Sequence, residues 1–478
     1  MVSKTKRALA LVLTAMMAAS ALAGCGPNNG GGTQNSAGGE NSAASAGGED
    51  STASGTGSTA SQAEVKDIND PGVKQTIISA MEGEAADNGG EISLVLWCSG
   101  DDKPFEKTLV EAFKEEYASD KYEIKVKIVN AYGEDKAGSK VLENPQEAGD
   151  VFNMADDQLS QLVTANAIAE VGALFQGNVV ANNTEDAVKV CSVNGKSYAF
   201  PKTSDNGYFL YYDKRVFKDD EVDNFDEMIK KANENGKSVY YNITGPWYMT
   251  GFFFTAGCDI TYDVTTDKQV ATFNTDQGLS AGKAICHLAE SQGKGFEGSP
   301  GTVGDNAFVQ QGFQEGTLAA AVIGTWMGPV IKEAIGEENV GAAKLPTVLM
   351  DGEQKQLDSF GGYKIVGVNA YTKYPISSQV LAYYLTSEDS QIKRYQERGL
   401  IPTNTKALED DKIKNDPALK AIEAQMPYAH PQGVCVGGTY WAVKPETIGS
   451  EAYDKKGKLT DDRIKEILQN IVTQLEGE

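Results

Sequence analysis

Residues Leu318–Pro329 read LAAAVIGTWMGP. Leu318–Ile323 is a short, unbroken apolar run containing Val and Ile, the pattern of a strand buried on both faces. Gly324 breaks the run, Trp326 follows, and Pro329 stands where a helix can begin. A strand, a glycine turn and a helix in that order indicate an α/β fold, in which ligands lie beyond the carboxyl ends of the strands. Trp326 stands at that place. Its flat apolar face suits a ligand as well as a core.

The same alternation extends outward. Ile92–Trp97 is a second buried run, Gly100-Asp101-Asp102 is a turn, and Pro104 fits the first turn of a helix. Phe105, Leu109, Phe113 and Tyr117 recur every fourth residue, giving the stripe of an amphipathic helix. Tyr122–Val129 alternates like a strand, so the three segments form a βαβ unit of a parallel sheet. Gly207–Asp213, GYFLYYD, reads as an extended strand crossing between two lobes. Helices are expected over 225–235, 276–292, 305–315, 375–386, 388–398, 416–425, 440–449 and 461–476, with a further strand at 363–368. Trp97 lies mid-strand and reads as core.

The 478 residues suffice for two or three domains. A net charge of −24 argues against nucleic acid or an anionic membrane surface as partner. His287 and His430 are the only histidines, which argues against a His-based metal site or a Ser–His–Asp triad. The six cysteines form no CxxC pair. Five of them, Cys98, Cys191, Cys258, Cys286 and Cys435, read as small buried apolar residues rather than as disulfides.

Lys4, Lys6 and Arg7 precede the apolar stretch Ala8–Ala23, which is short for a membrane span. It ends Leu22-Ala23-Gly24-Cys25, which resembles a bacterial lipobox. The expectation is that residues 1–24 are removed and that the Cys25 thiol is lipidated, placing the chain on the outer face of the cell membrane. An uncleaved anchor helix is the alternative. Residues 25–62 are rich in Gly, Ser, Ala, Thr and Asn, which suits a flexible tether with a span of about 35 Å. Residues 63–90 are acidic and mixed, and are expected to be partly ordered or an extra helix.

From residue 91 the order of segments is familiar. LVLWCSGDD (94–102), VFNMADDQLSQL (151–162), FLYYDKRVF (209–217), NITGPWYMTGFFF (242–254), GTLAAAVIGTWMGP (316–329), KLPT (344–347), GLIPTNTKAL (399–408) and MPYAHPQ…TYWAV (426–443) carry the resemblance. The chain resembles the extracellular solute-binding proteins of bacterial ABC importers, in the carbohydrate-binding branch typified by maltose-binding protein. That resemblance implies two α/β lobes, each a mixed sheet flanked by helices, joined by a hinge and closing on a ligand. It implies one lobe from 91–204 and 358–415 and the other from 205–357 and 416–478. It also implies an oligosaccharide ligand, best guessed as a malto-oligosaccharide, importer membrane subunits as partners, a monomer, no enzyme activity and no cofactor or metal.

A sugar ring stacks its C–H faces on aromatic rings and gives its hydroxyls to carboxylates and amides. This chain offers Trp247, Tyr248, Trp326, Tyr440 and Trp441 as flat faces. In the resemblance, Gly324-Thr325-Trp326 falls on the family's Gly-Pro-Trp segment, Trp247 on a stacking Tyr and Tyr440 on a stacking Trp. Asp101, Asp102, Asp157, Gln158 and Asn206 (or its neighbour Asp205) are the polar candidates. Here the sequence departs from the family: Asp102 occupies a Lys position, Gln158 an Arg position, Met154 a Trp position and Gly245 that of an acid. The departures imply a different sugar or a different register of rings. Each of these side chains also has a plain structural use, in core packing or helix capping. Alternative readings keep the fold and change the ligand to another oligosaccharide, a peptide or a polyamine. Others make the chain a ligand sensor for a receptor kinase, or a secreted glycoside hydrolase working through two carboxylates.

Overall fold

Leu318–Ile323 is the central strand of a five-stranded sheet, and all six of its residues are buried. The computed structural model describes residues 66–477 apart from 131, 264, 265 and 267. The expected leader, Cys25 and the tether lie outside the described residues. The central strand runs parallel to Ser238–Tyr240 on one side and antiparallel to Phe209–Asp213 on the other. Phe296–Glu297 and Val340–Ala343 complete the edges. After the strand, Gly324 leads into a 3-10 turn, Thr325–Met327, and then into the helix Gly328–Ile335 with Pro329 in its first turn. Pro costs nothing there, because the first-turn N–H groups have no intrahelical acceptor.

A second five-stranded sheet has the order Glu123–Val129, Glu91–Trp97, Val151–Ala155, Lys364–Val368 and Ala199–Thr203. Its first three strands are parallel, and Lys364–Val368 runs antiparallel to both of its neighbours. The helix Lys103–Glu116 connects the first parallel pair and buries Phe105, Leu109, Val110 and Phe113. Each sheet is therefore mixed, carries its own apolar cluster and is flanked by helices. The described residues belong to one compact unit.

Between residues 63 and 90, a helix spans Pro71–Asp87, started by the Asp70 carboxylate accepting from the N–H groups of Gly72 and Val73. Its Glu84 is buried and accepts from the N–H groups of Ile376 and Ser377. The carboxylate thus satisfies the first turn of the helix Pro375–Leu385, where the helix dipole favours negative charge. The extension is joined to the Glu91–Trp97 sheet through that contact.

Two expectations need correction. GYFLYYD does not run between the lobes; Phe209–Asp213 is an interior strand of the Leu318–Ile323 sheet, and the crossing is the short segment 204–208. All five residues of that strand are buried; three are aromatic, and Asp213 is paired with Arg215. The helix expected over 440–449 is two, Gly438–Ala442 and Thr447–Asp454. Pro445 intervenes, and Lys444 adopts a left-handed φ of 54°. Trp97 is half-buried against Gly149 and Tyr132, packed on its own sheet's side. The five cysteines are all buried and free. Among the described residues no helix is long and apolar enough to cross a membrane.

Candidate functional site

The loops that follow the strands of both sheets line one cleft of about 880 Å³. Trp247, Trp326 and Trp441 all line it, each half-buried on the apolar core of the Leu318–Ile323 sheet. Their positions follow from local sequence. Gly245 and Pro246 start the helix Pro246–Thr255, whose first turn carries Trp247 and Tyr248. Trp326 sits in the turn after the central strand, with its ring folded back over Gly324; a Cβ there would meet the indole at 1.8 Å. Its Nε1–H donates to Asn306 Oδ1 at 2.9 Å, which fixes the ring plane. The Trp247 and Trp326 rings lie 6.1 Å apart at 36°. Tyr208 packs edge-on behind Trp247 at 4.8 Å.

Tyr248 lines the cleft but is mostly buried, and its backbone carbonyl accepts from the hydroxyls of Tyr208 and Tyr241. Tyr440 is not at the cleft. It is fully buried, shares a hydrogen bond with Thr250 and packs edge-on against Phe273. Trp441, one residue on, takes the cleft position, because a helix turns successive side chains by about 100°.

The opposite wall is polar and comes from the sheet that contains Glu91–Trp97. Asp101 lines the cleft and is exposed. Asp102 lines it too, but its carboxylate is already engaged: Lys202 donates at 2.9 Å and Arg398 Nε at 3.2 Å. Burial opposes ionisation of Asp102, yet the Lys202 ammonium, with Arg394 and Arg398, outweighs it and holds the carboxyl at about 2. Lys202 is itself fully buried and also meets Glu134 at 2.9 Å and Glu106 at 3.4 Å. Burial lowers its pKa, and the three carboxylates more than reverse that.

Gln158 has a structural use: its Oε1 accepts from Gly138 N–H and its Nε2–H donates to the Glu134 carbonyl. Asp157 accepts from Gln432 through Oδ2, while its buried Oδ1 has no partner. Burial raises its pKa. Its neighbour Asp156, pushed up to about 7 by burial and then by Asp157, accepts from Tyr363 N–H. Asn206 is buried at the cleft, and its Nδ2–H donors are unpartnered. Asp205 instead ties the crossing segment down, accepting from Thr325 Oγ1–H and Ile401 N–H.

Sequence reasoning missed several cleft residues. Asp305 accepts from Tyr240 and Asn242, and burial raises its pKa. It is the first residue of the helix Asp305–Gln314, where an acid is common whatever the function. Lys202, Arg398 and Gln432 carried no local signal, since their partners lie far away in the chain. Among the described residues no group of three or more side chains is arranged to hold a metal ion.

Two mixed sheets, each with helices, and a cleft between their loops define a two-lobed binding-protein fold. The chain belongs to the bacterial extracellular solute-binding proteins, whose family profile matches residues 108–421. It is 25% identical over 351 residues to the galactooligosaccharide-binding protein of Bacillus subtilis, covering 71% of this chain and 79% of that one. It is 27% identical over 321 residues to the maltooligosaccharide ABC transporter solute-binding lipoprotein of Streptococcus pneumoniae, covering 64% and 72%. Among solved structures, a protein with acarbose superposes with a TM-score of 0.67 at 28% identity, covering 81% of this chain and 99% of that one. The ligand-free maltodextrin-binding protein of L. casei, at 24% identity and a TM-score of 0.65 with 80% and 99% coverage, shows the same fold.

Proposed function

We propose that this protein captures an oligosaccharide, and a malto-oligosaccharide in particular, between its lobes and delivers it to an ABC importer. The observation that carries this reading is the cleft itself: three half-buried indoles on one wall and carboxylates and amides on the other. Trp247, Trp326 and Trp441 would stack on sugar rings. Asp101, Asp157 and Asn206 would take hydroxyls; the unpartnered Asp157 Oδ1 and Asn206 Nδ2 are an acceptor and a donor awaiting such a partner. Asp102, Gln158 and Tyr248 also line the cleft, but Asp102 and Gln158 are bonded within the protein and Tyr248 is mostly buried. Nothing in this mechanism breaks a covalent bond. The ligand bridges both walls, and closure about the crossing segments near 205, 357 and 415 buries it. The names of the similar proteins, which bind malto- and galactooligosaccharides, support the ligand class.

Calorimetry against malto-, xylo-, manno- and galacto-oligosaccharides tests the reading. The expected result is tightest binding of a malto-oligosaccharide. Preference for a galacto-oligosaccharide would replace the sugar but keep the class. No binding to any sugar, with a thermal shift from peptides or polyamines, would overturn it. We further propose that Cys25 carries the lipid anchor, on the sequence pattern around it. Cys25→Ala is expected to move the protein from membrane fractions to the medium; retention in membranes would refute the assignment.

A further inference from the structure

Gln432 stands between the two walls of the cleft. It begins the short helix Gln432–Cys435 and is buried. Its Oε1 accepts from Trp247 Nε1–H at 2.8 Å. Its Nε2–H donates to Asp157 Oδ2, also at 2.8 Å. Trp247 belongs to the wall built on the Leu318–Ile323 sheet, and Asp157 follows the strand Val151–Ala155 of the other sheet. One primary amide therefore links an indole on one lobe to a carboxylate on the other. A primary amide suits both, because the indole solely donates and the carboxylate solely accepts.

The surroundings hold this amide in place. Gly433 lies against Asp157 so closely that a Cβ would meet Asp157 Cα at 2.9 Å. At the far end of the short helix, the buried Gln269 donates to the Cys435 carbonyl and accepts from Gly437 N–H, both at 2.9 Å. Gln269 is in the strand Lys268–Ala271, which pairs with Ile260–Asp263. From the latter strand, Tyr262 Oη accepts from Gln161 Nε2–H at 2.9 Å, a second polar bridge to the first lobe. The helix Gln432–Cys435 is thus tied to the hairpin of one lobe and seated on the Asp156–Gln158 turn of the other.

We propose that Gln432 is a positioning residue: a polar latch that couples the lobes and fixes the Trp247 ring plane and the Asp157 carboxylate at the spacing a sugar needs. The effect on sugar binding rests on the function proposed above; the coupling of the lobes does not. Gln432→Leu keeps the volume and removes both bonds. Gln432→Glu keeps the acceptor for Trp247 but sets a carboxylate against Asp157. The charged groups acting on the Asp157 carboxylate are Asp156, Asp135 and Lys364, and His430, bonded to Asp358, precedes Gln432 by two residues. Its own helix, Gln432–Cys435, contributes no acid or base.

The test uses the full chain labelled with 5-fluorotryptophan, with the Trp247 signal assigned by Trp247→Phe. Without ligand, the wild-type Trp247 resonance is expected to be single, and in Gln432→Leu shifted and broadened. Maltotetraose is expected to leave Gln432→Leu about tenfold faster, as loss of a charge-assisted hydrogen bond dictates. Gln432→Glu is expected to match Gln432→Leu at neutral pH. It should recover as the pH is lowered, where a proton shared with Asp157 restores the bridge; burial already raises the Asp157 pKa. A merely structural role would not produce that recovery. Should Gln432→Leu fail to fold, Gln432→Asn, one methylene too short to span both partners, carries the same expectations. An unchanged Trp247 resonance in the folded variant, or no recovery of Gln432→Glu in acid, overturns the latch. A wild-type protein that binds no sugar would sink the proposed function, and the ligand-free resonance would still decide the latch.

Discussion

Trp326→Ala is expected to weaken malto-oligosaccharide binding by more than about 2 kcal/mol, roughly thirtyfold in Kd, while leaving the fold intact. The size follows from the ring's situation. An aromatic side chain contributes a large apolar face with few rotatable bonds, so little entropy is lost when a sugar stacks on it. Trp326 is better ordered than most. Asn306 takes its N–H, Gly324 lies beneath it and Trp247 faces it at 6.1 Å. The fold survives because the ring is half-buried at the end of the strand, not within the sheet. Trp326→Phe should recover part of the loss by keeping a stacking face. Calorimetry and a thermal melt on the same samples separate the outcomes. Unchanged affinity with a folded protein removes Trp326 from the site, and a collapse of the melt assigns it to the core instead.

The central strand and the first βαβ unit were legible because their signals are local. A six-residue apolar run and a four-residue apolar stripe state their burial without reference to the rest of the chain. The cleft aromatics were legible as a set, but Tyr440 and Trp441 were not separable. Adjacent residues on a short helix differ only by its rotation about its axis, and tertiary packing of Thr250 and Phe273 sets that rotation. GYFLYYD was misplaced for a related reason. Its aromatic, extended character fits a crossing strand and an interior strand equally well. Antiparallel pairing with residues more than a hundred positions later decides between them. The polar residues of the cleft were least legible. Asp102 and Gln158 looked free for a ligand, and the structure occupies them with Lys202, Arg398 and Gly138. A carboxylate's availability depends on what long-range contacts leave over, and no spacing in the chain encodes that.

Lys202→Met is expected to destabilise the fold by about 3–5 kcal/mol at neutral pH, the usual penalty for removing one partner from a buried ionic cluster. Lys202 is the hub of that cluster. Its ammonium joins Asp102 from the turn after the first strand, Glu106 from the helix Lys103–Glu116 and Glu134 from a third loop. Met fills nearly the same volume, so the loss is electrostatic and not a cavity. The three carboxylates keep Arg398, Arg394 and Lys364 as cationic partners, at 3.2, 3.5 and 3.6 Å. Those cations place the expected loss nearer the lower figure. The pH dependence distinguishes this account from simple mispacking. In the wild type, Asp102 is held at about 2, so it contributes stability above its ordinary range and loses it only in strong acid. In Lys202→Met the cluster loses the cation that most favours its charged form, so protonation costs the folded state less than in the wild type. The wild type therefore loses more stability than the variant as pH falls through the carboxylate range. Urea denaturation at neutral and acid pH should therefore show a deficit that shrinks in acid. A deficit under about 1 kcal/mol at neutral pH, or one that does not change with pH, would mean that the cluster is solvated and Lys202 is not its hub.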